Sequence, residues 1–130
     1  ASFSDAVAAG GRPMRHLSAV ELAEWLTACA AAETTAQTAS RPRPLLLDVR
    51  EPWEHALCQL PGSRLLPMSA VPAALDQLDR QAETVIICHH GIRSLQVAYF
   101  LERQGFALTY NLSGGIDAWA RDVDPLMHKY

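Results

Sequence analysis

Apolar positions along this chain alternate between two patterns: short unbroken runs, and longer stretches in which apolar residues recur every three or four positions. Runs at residues 14–17, 45–49, 84–88 and 107–111 read as strands. Leu45-Leu46-Leu47-Asp48-Val49 and Thr84-Val85-Ile86-Ile87-Cys88 are the richest of them and predict buried strands. A further run at 64–67 contains Pro67, which suits an edge. Between these runs lie the helical patterns. Ser18-Ala19-Val20-Glu21 has the spacing of a capping box and predicts a helix to about residue 32, with Leu22, Trp25, Leu26 and Cys29 on its apolar face. Pro52 opens a short helix at Trp53, because a first-turn position needs no amide hydrogen. Ser69 is expected to cap a helix over 70–79 that turns Val71, Ala74, Leu75 and Leu78 inward. A helix over 94–104 stops at Gly105, and its middle, Val97-Ala98-Tyr99-Phe100-Leu101, is apolar nearly all round, which predicts deep packing. A last helical segment over 116–121 follows the turn Ser113-Gly114-Gly115.

Strands that alternate with helices imply an α/β layer structure with a largely parallel sheet. Residues 1–11 are small and glycine-bearing, and 33–44 are rich in Thr, Ser, Arg and Pro, so the first reads as a loose tail and the second as a surface connection. The expected division is a flexible tail over 1–13 and a single domain over 14–130. In open parallel sheets ligands bind beyond the carboxyl ends of the strands. Cys88, the segment Asp48-Val49-Arg50, and residues 111–115 all follow strands, so all three are expected at one edge.

Composition narrows the function. A chain of 130 residues that is 49% hydrophobic is large enough for one core. A net charge of -3 argues against general nucleic-acid binding, which needs a clustered cationic surface. No apolar run approaches a membrane span, and the first residues lack a secretory pattern, so a soluble, cytoplasmic protein is expected. Cys29, Cys58 and Cys88 are an odd set without C-x-x-C spacing, and His16, His55 and His128 are scattered. The adjacent His89 and His90 lack helical metal-motif spacing, so neither a disulfide framework nor a metal centre is expected.

The chemistry concentrates at Cys88-His89-His90-Gly91-Ile92-Arg93-Ser94, where a strand passes into a helix. The first amides of a helix have no intrahelical partner, and with the helix dipole they favour negative charge. A thiolate there is stabilised, and His89, His90 and Arg93 add positive or potentially positive charge. Buried, inert cysteine is the competing reading, but the polar residues that follow make poor core.

These residues resemble the rhodanese-like domains, and most closely the single-domain thiosulfate sulfurtransferases. The carrying motifs are Leu46-Leu47-Asp48-Val49-Arg50-Glu51 with Trp53-Glu54, Leu60-Pro61-Gly62-Ser63, the Cys88 to Ser94 loop, and Leu112-Ser113-Gly114-Gly115-Ile116-Asp117-Ala118-Trp119. They occur in the family's order across residues 16–119. The resemblance implies a parallel sheet of about five strands flanked by helices on both faces. It implies that Cys88 takes sulfane sulfur from thiosulfate or a related donor as a persulfide and passes it to cyanide or a thiol, without a cofactor. A sulfur-relay protein is a further candidate partner. The amides from His89 through His90, Gly91, Ile92 and Arg93 to Ser94 are then the anion cradle.

Arg93 is the candidate to hold the sulfonate end of thiosulfate. His89 and His90 either attract anions or tune the thiolate. Arg50 is expected either to lend positive potential at the substrate edge or to anchor a neighbouring carboxylate, and Asp48 to fix its loop. Gly91, Gly114 and Gly115 serve tight turns, and Trp119 serves packing. Related cysteine-dependent phosphatases place five residues between cysteine and arginine, whereas here only His89 to Ile92 intervene, and the tighter ring suits a single sulfur atom. The chain departs from the family at Cys58-Gln59, where Gly-His is common; Gln59 keeps some hydrogen bonding but cannot titrate. Cys58 either packs quietly or exchanges sulfur with Cys88. A non-catalytic binding or sulfur-carrier module is the alternative reading of the whole.

Overall fold

The computed structural model describes residues 13–37 and 41–130, so most of the expected tail, and positions 38–40 of the connection, lie outside the described residues. Strands β1 (Arg15–Leu17), β2 (Leu45–Asp48), β3 (Arg64–Leu65), β4 (Glu83–Ile87) and β5 (Leu108–Leu112) form one sheet in the order β1-β5-β4-β2-β3. Every pairing is parallel; Leu46 lies beside Val85, and Val85 beside Tyr110. Helices α1 (Ala19–Thr34), α2 (Pro52–Leu57), α3 (Ile92–Arg103) and α4 (Gly115–Asp122) complete the expected α/β fold.

Successive strand residues point to opposite faces of a sheet, so each central strand feeds two cores. On one face Leu46, Val85 and Ile87 meet Leu22, Trp25 and Cys29 of α1 with Ile116 and Trp119 of α4. On the other, Leu47, Ile86 and Cys88 meet Val97, Ala98 and Leu101 of α3 with Phe106. Cover on both faces is the reason these strand sequences are apolar without alternation. Trp119, 7% exposed, is core as expected.

Three local expectations are corrected. Residues 70–79 do not form an α-helix but fall into two 3-10 segments, Met68–Ala70 and Pro72–Gln77. Tighter bonds replace the α pattern, Val71 N to Met68 O at 3.3 Å and Ala74 N to Val71 O at 3.0 Å. Pro67 rather than Ser69 precedes the first segment. Val71, Ala74 and Leu78 are buried nonetheless. Deep packing of 97–101 holds for Val97, Ala98 and Leu101, while the helical turn carries Tyr99 away from the sheet to 43% exposure. Finally, α3 starts at Ile92, two residues before the expected Ser94, because Gly91 adopts φ 93° and turns the chain into the helix there. Arg93 thereby joins Ser94 in the first turn of α3.

Among the described residues no helix is long and apolar enough to cross a membrane. The capping box on α1 is present as read: Glu21 N donates to Ser18 Oγ at 3.1 Å, and Ser18 N donates to Glu21 Oε1 at 3.0 Å. Ser18→Ala removes one of these bonds and leaves an orphan amide at the helix start. It should lower unfolding free energy by about 1 kcal/mol, measured as a reduced urea midpoint with an unchanged slope.

Candidate active site

β4 ends at Ile87, and Cys88 therefore sits where the strand runs out beneath the start of α3. Its side chain is 1% exposed. Cys88 Sγ accepts the Gly91 N–H at 3.0 Å and lies 3.2 Å from Ser94 Oγ. Asn111, at the end of β5, orients the serine: its Nδ2 donates to Gly91 O at 3.2 Å, which turns Oδ1 toward Ser94 Oγ at 2.5 Å. A hydroxyl has one hydrogen. With that hydrogen on Asn111, the hydroxyl oxygen is left to accept from the Cys88 thiol.

The outside of the loop is held by α4. Ile116 N donates to Cys88 O at 2.9 Å, and Asp117 N donates to His89 O at 3.0 Å. In a trans peptide N–H and C=O point in opposite directions, so binding these carbonyls to α4 turns the N–H groups of His89 and His90 away from it. Gly115 makes the approach possible. At its φ of 59° a Cβ would run into the carbonyl oxygens of Cys88 and His89. Gly91 is constrained likewise, since a Cβ there would meet Gly114 N at 3.1 Å and Leu112 O at 3.2 Å.

Beside the loop lies a network of charges. Asp48 and Arg50 are both fully buried and joined at 2.7 Å. The five N–H donors of Arg50 are all engaged: Nε on both Asp48 oxygens, Nη2 on Asp48 Oδ2 and Cys58 O, and Nη1 on Glu54 O and the Tyr130 hydroxyl. Asp48 Oδ1 also accepts the Arg50 main-chain N–H at 3.0 Å. Burial opposes the arginine's charge, but the bonds to Asp48 and Tyr130 more than offset it and raise its pKa. Of the two roles expected of Arg50, the structure forms the carboxylate anchor and not a contact at the substrate edge. Its guanidinium has no exposed surface and no spare donor, and it is the anchor of a carboxylate.

Arg93, from the first turn of α3, points to Glu54 of α2 in a bidentate pair of 2.7 and 2.9 Å. The Tyr130 hydroxyl donates to Glu54 Oε2 at 2.6 Å, and Glu51 N donates to Oε1 at 3.1 Å. The Arg93 hydrogen bonds, helped by Tyr130 and against the cost of burial, hold the Glu54 carboxyl down at about 2. Burial, then the bond to Glu54, raises Tyr130 to about 12, so its hydroxyl keeps its proton. The Tyr130 ring stacks on His89 at 3.9 Å between centroids, and His89 stacks on His90 at 3.9 Å. Burial and the neighbouring His90 lower the His89 pKa, leaving the imidazole neutral at pH 7.

The fold thus gathers Cys88, His89, His90, Gly91, Ile92, Arg93 and Ser94 around one loop end, with Ile92 69% exposed on its rim. Asp48 and Arg50 form the adjoining buried support. Cys58 packs in the core on the sheet face opposite Cys88, and all three cysteines are free. Sequence reasoning did not single out Asn111, Glu54 or Tyr130 as site residues. Asn111 carried one signal, a polar residue closing an apolar strand. Glu54 carried another, its spacing from Glu51 as a second capping box, which the structure forms.

Residues 31–122 match the model of the rhodanese-like domain. A sulfurtransferase of Allochromatium vinosum is 39% identical over 83 residues, 64% of this chain and 78% of that protein. A putative sulfurtransferase of Bacillus subtilis is 39% identical over 80 residues, 62% and 77% of the two chains. Against a chloroplast rhodanese-like/PpiC domain protein of Arabidopsis thaliana, also 39% identical, the match takes in only 30% of the plant protein. The crystal structure of a rhodanese-like domain protein from Staphylococcus aureus superposes with a TM-score of 0.67 at 29% identity, covering 82% of this chain and 91% of that one.

Two substitutions test the charge network. Arg50→Met leaves Asp48 charged and buried without a partner, and should cost about 3–5 kcal/mol of unfolding free energy in urea. Glu54, lowered from its ordinary 4.5 to about 2, contributes stability that is complete above about pH 5 and is lost as the pH falls toward 2. Because Arg93 is about a third exposed, solvent screening reduces that contribution to about 2 kcal/mol. Urea midpoints taken between pH 7 and pH 3 should fall less steeply in Glu54→Gln than in the wild type.

Proposed function

The chain belongs to the rhodanese-like domain family, and on that footing we propose that it is a sulfurtransferase in which Cys88 carries sulfane sulfur as a persulfide. The observation that carries this reading is the enclosed sulfur of Cys88, which receives the Gly91 N–H at the start of α3. The Cys88 thiolate attacks the outer sulfur of thiosulfate. A new S–S bond forms, the old one breaks, and sulfite leaves with its electron pair. Cyanide or a thiolate then attacks the outer sulfur of the persulfide and departs as thiocyanate or a new persulfide, which restores the Cys88 thiolate.

Three features support sulfur over phosphate as the transferred group. A side chain only 1% exposed is best reached by a single leading atom, and a phosphoryl group brings three oxygens with it. The loop has four residues, His89, His90, Gly91 and Ile92, between cysteine and arginine, and the backbone contacts at Gly91 and Gly115 leave it little freedom to widen. The pathway also needs no carboxylate acid or base, and Glu54, beside the loop, is occupied by Arg93 and Tyr130.

Within this reading Ser94 supports the ionised sulfur, and the loop amides receive the charge of the persulfide. Arg93 meets the sulfonate with the guanidinium hydrogens that Glu54 leaves free, and Glu54 fixes the direction in which the fork faces.

The intact mass of reduced protein after brief incubation with thiosulfate should rise by one sulfur atom, mapped to Cys88 and removed by cyanide. Cys88→Ser should gain none while keeping its fold. Sulfur located on Cys29 or Cys58, undiminished loading in Cys88→Ser, or no loading by either thiosulfate or glutathione persulfide would defeat the proposal. Arg93→Ala should lower the second-order rate of loading by thiosulfate about tenfold, the loss of one charge-assisted contact. An unchanged thiosulfate dependence would remove the role given to Arg93.

A further inference from the structure

His89 and His90 have no ligand spacing in the sequence, but the fold adds a third group that spacing does not reveal. Asp117, on the first turn of α4, brings its carboxylate to the same place, and one ligand atom from each of the three residues lies within 4.8 Å of the others. We propose that His89, His90 and Asp117 form a binding site for a divalent transition-metal ion on the outer side of the Cys88 loop.

The relative placement of these residues is set by the backbone. Asp117 N donates to His89 O at 3.0 Å, and Ile116 N to Cys88 O at 2.9 Å, so α4 and the loop cannot drift apart. The two imidazoles are stacked 3.9 Å apart at 25°, so their ring nitrogens are neighbours, and turning the exposed His90 ring out of the stack aims its nitrogen at an ion shared with His89. His89 is held on its other face by the Tyr130 ring, 3.9 Å away at 11°. The Tyr130 hydroxyl is in turn bonded to Arg50 and Glu54. The stack thereby limits how the His89 ring can turn.

Bonds of about 2.0–2.2 Å to nitrogen and oxygen allow ligand atoms of one ion to lie at most about 4.2 Å apart. The outer limit of 4.8 Å is therefore closed by a small rotation, and the exposed His90 is free to make it. Two imidazoles and a carboxylate suit zinc, nickel or copper; magnesium and calcium prefer all-oxygen shells. The local charge permits a cation. Arg93, the nearest arginine of the loop, is neutralised by Glu54. Arg121 lies 3.8 Å from Asp117 but pairs more closely with Asp122 at 3.0 Å.

The test is calorimetric titration of Zn2+ into the untagged, reduced full chain, with X-ray absorption at the zinc edge. One ion per chain should bind, through nitrogen and oxygen without sulfur. His90→Ala and Asp117→Asn, both at partly or fully exposed positions, should each weaken binding at least about tenfold. Cys88→Ser should bind as the wild type does. Absence of saturable binding, sulfur in the zinc shell, loss of binding in Cys88→Ser, or unchanged affinity in Asp117→Asn would each overturn the site.

Discussion

A guanidinium without access to water must find a partner for every one of its hydrogens, and Arg50 imposes that condition on everything around it. Its acceptors come from the end of β2, from α2, from the residue after α2 and from Tyr130. A single buried charge thus joins all of these segments. The next layer repeats the logic. Tyr130 passes from Arg50 to Glu54, and Glu54 passes to Arg93 at the start of α3. The direction in which Arg93 faces is therefore decided by a pair buried two contacts away. Breaking such a pair is costly because the surviving partner keeps its charge in a medium that solvates it poorly.

The loop that carries Cys88 is held in a different way, by main chain on main chain. Its outer carbonyls are bonded to the first amides of α4, which an isolated helix would leave to water. The loop and α4 each satisfy groups the other has exposed, and only glycine at 115 lets them approach closely enough. Side chains then add the detail: Asn111 sets Ser94, and Ser94 meets the sulfur. With the backbone fixed first, His89, His90 and Asp117 can only converge, whatever purpose their convergence serves.

The strand and helix pattern was readable because both sheet faces are covered, so the central strands are plain apolar runs and α1 carries an explicit cap. Where reading failed, a local rule was outweighed. The apolar spacing of Val71, Ala74, Leu75 and Leu78 is that of an α-helix, yet the segment closes in i→i+3 bonds, and these 3-10 turns bury nearly the same face. Tyr99 lies within an apolar stretch, but a helix presents only part of its circumference to a sheet.

Cys88, its loop and Gly91 are contiguous, and a strand running into a glycine-capped helix expresses itself within a dozen residues; this much belongs to the sequence alone. The roles of Arg50, Glu54, Asn111 and Asp117 do not, because each depends on a partner or an environment supplied by another part of the fold. A lone arginine after a strand reads equally well as a substrate contact or as an anchor. Burial and the positions of Asp48, Cys58 O, Glu54 O and Tyr130 decide between them. The physical reason is one of range: hydrogen-bond spacing and helix periodicity act between neighbours along the chain, while desolvation and charge pairing act between neighbours in space.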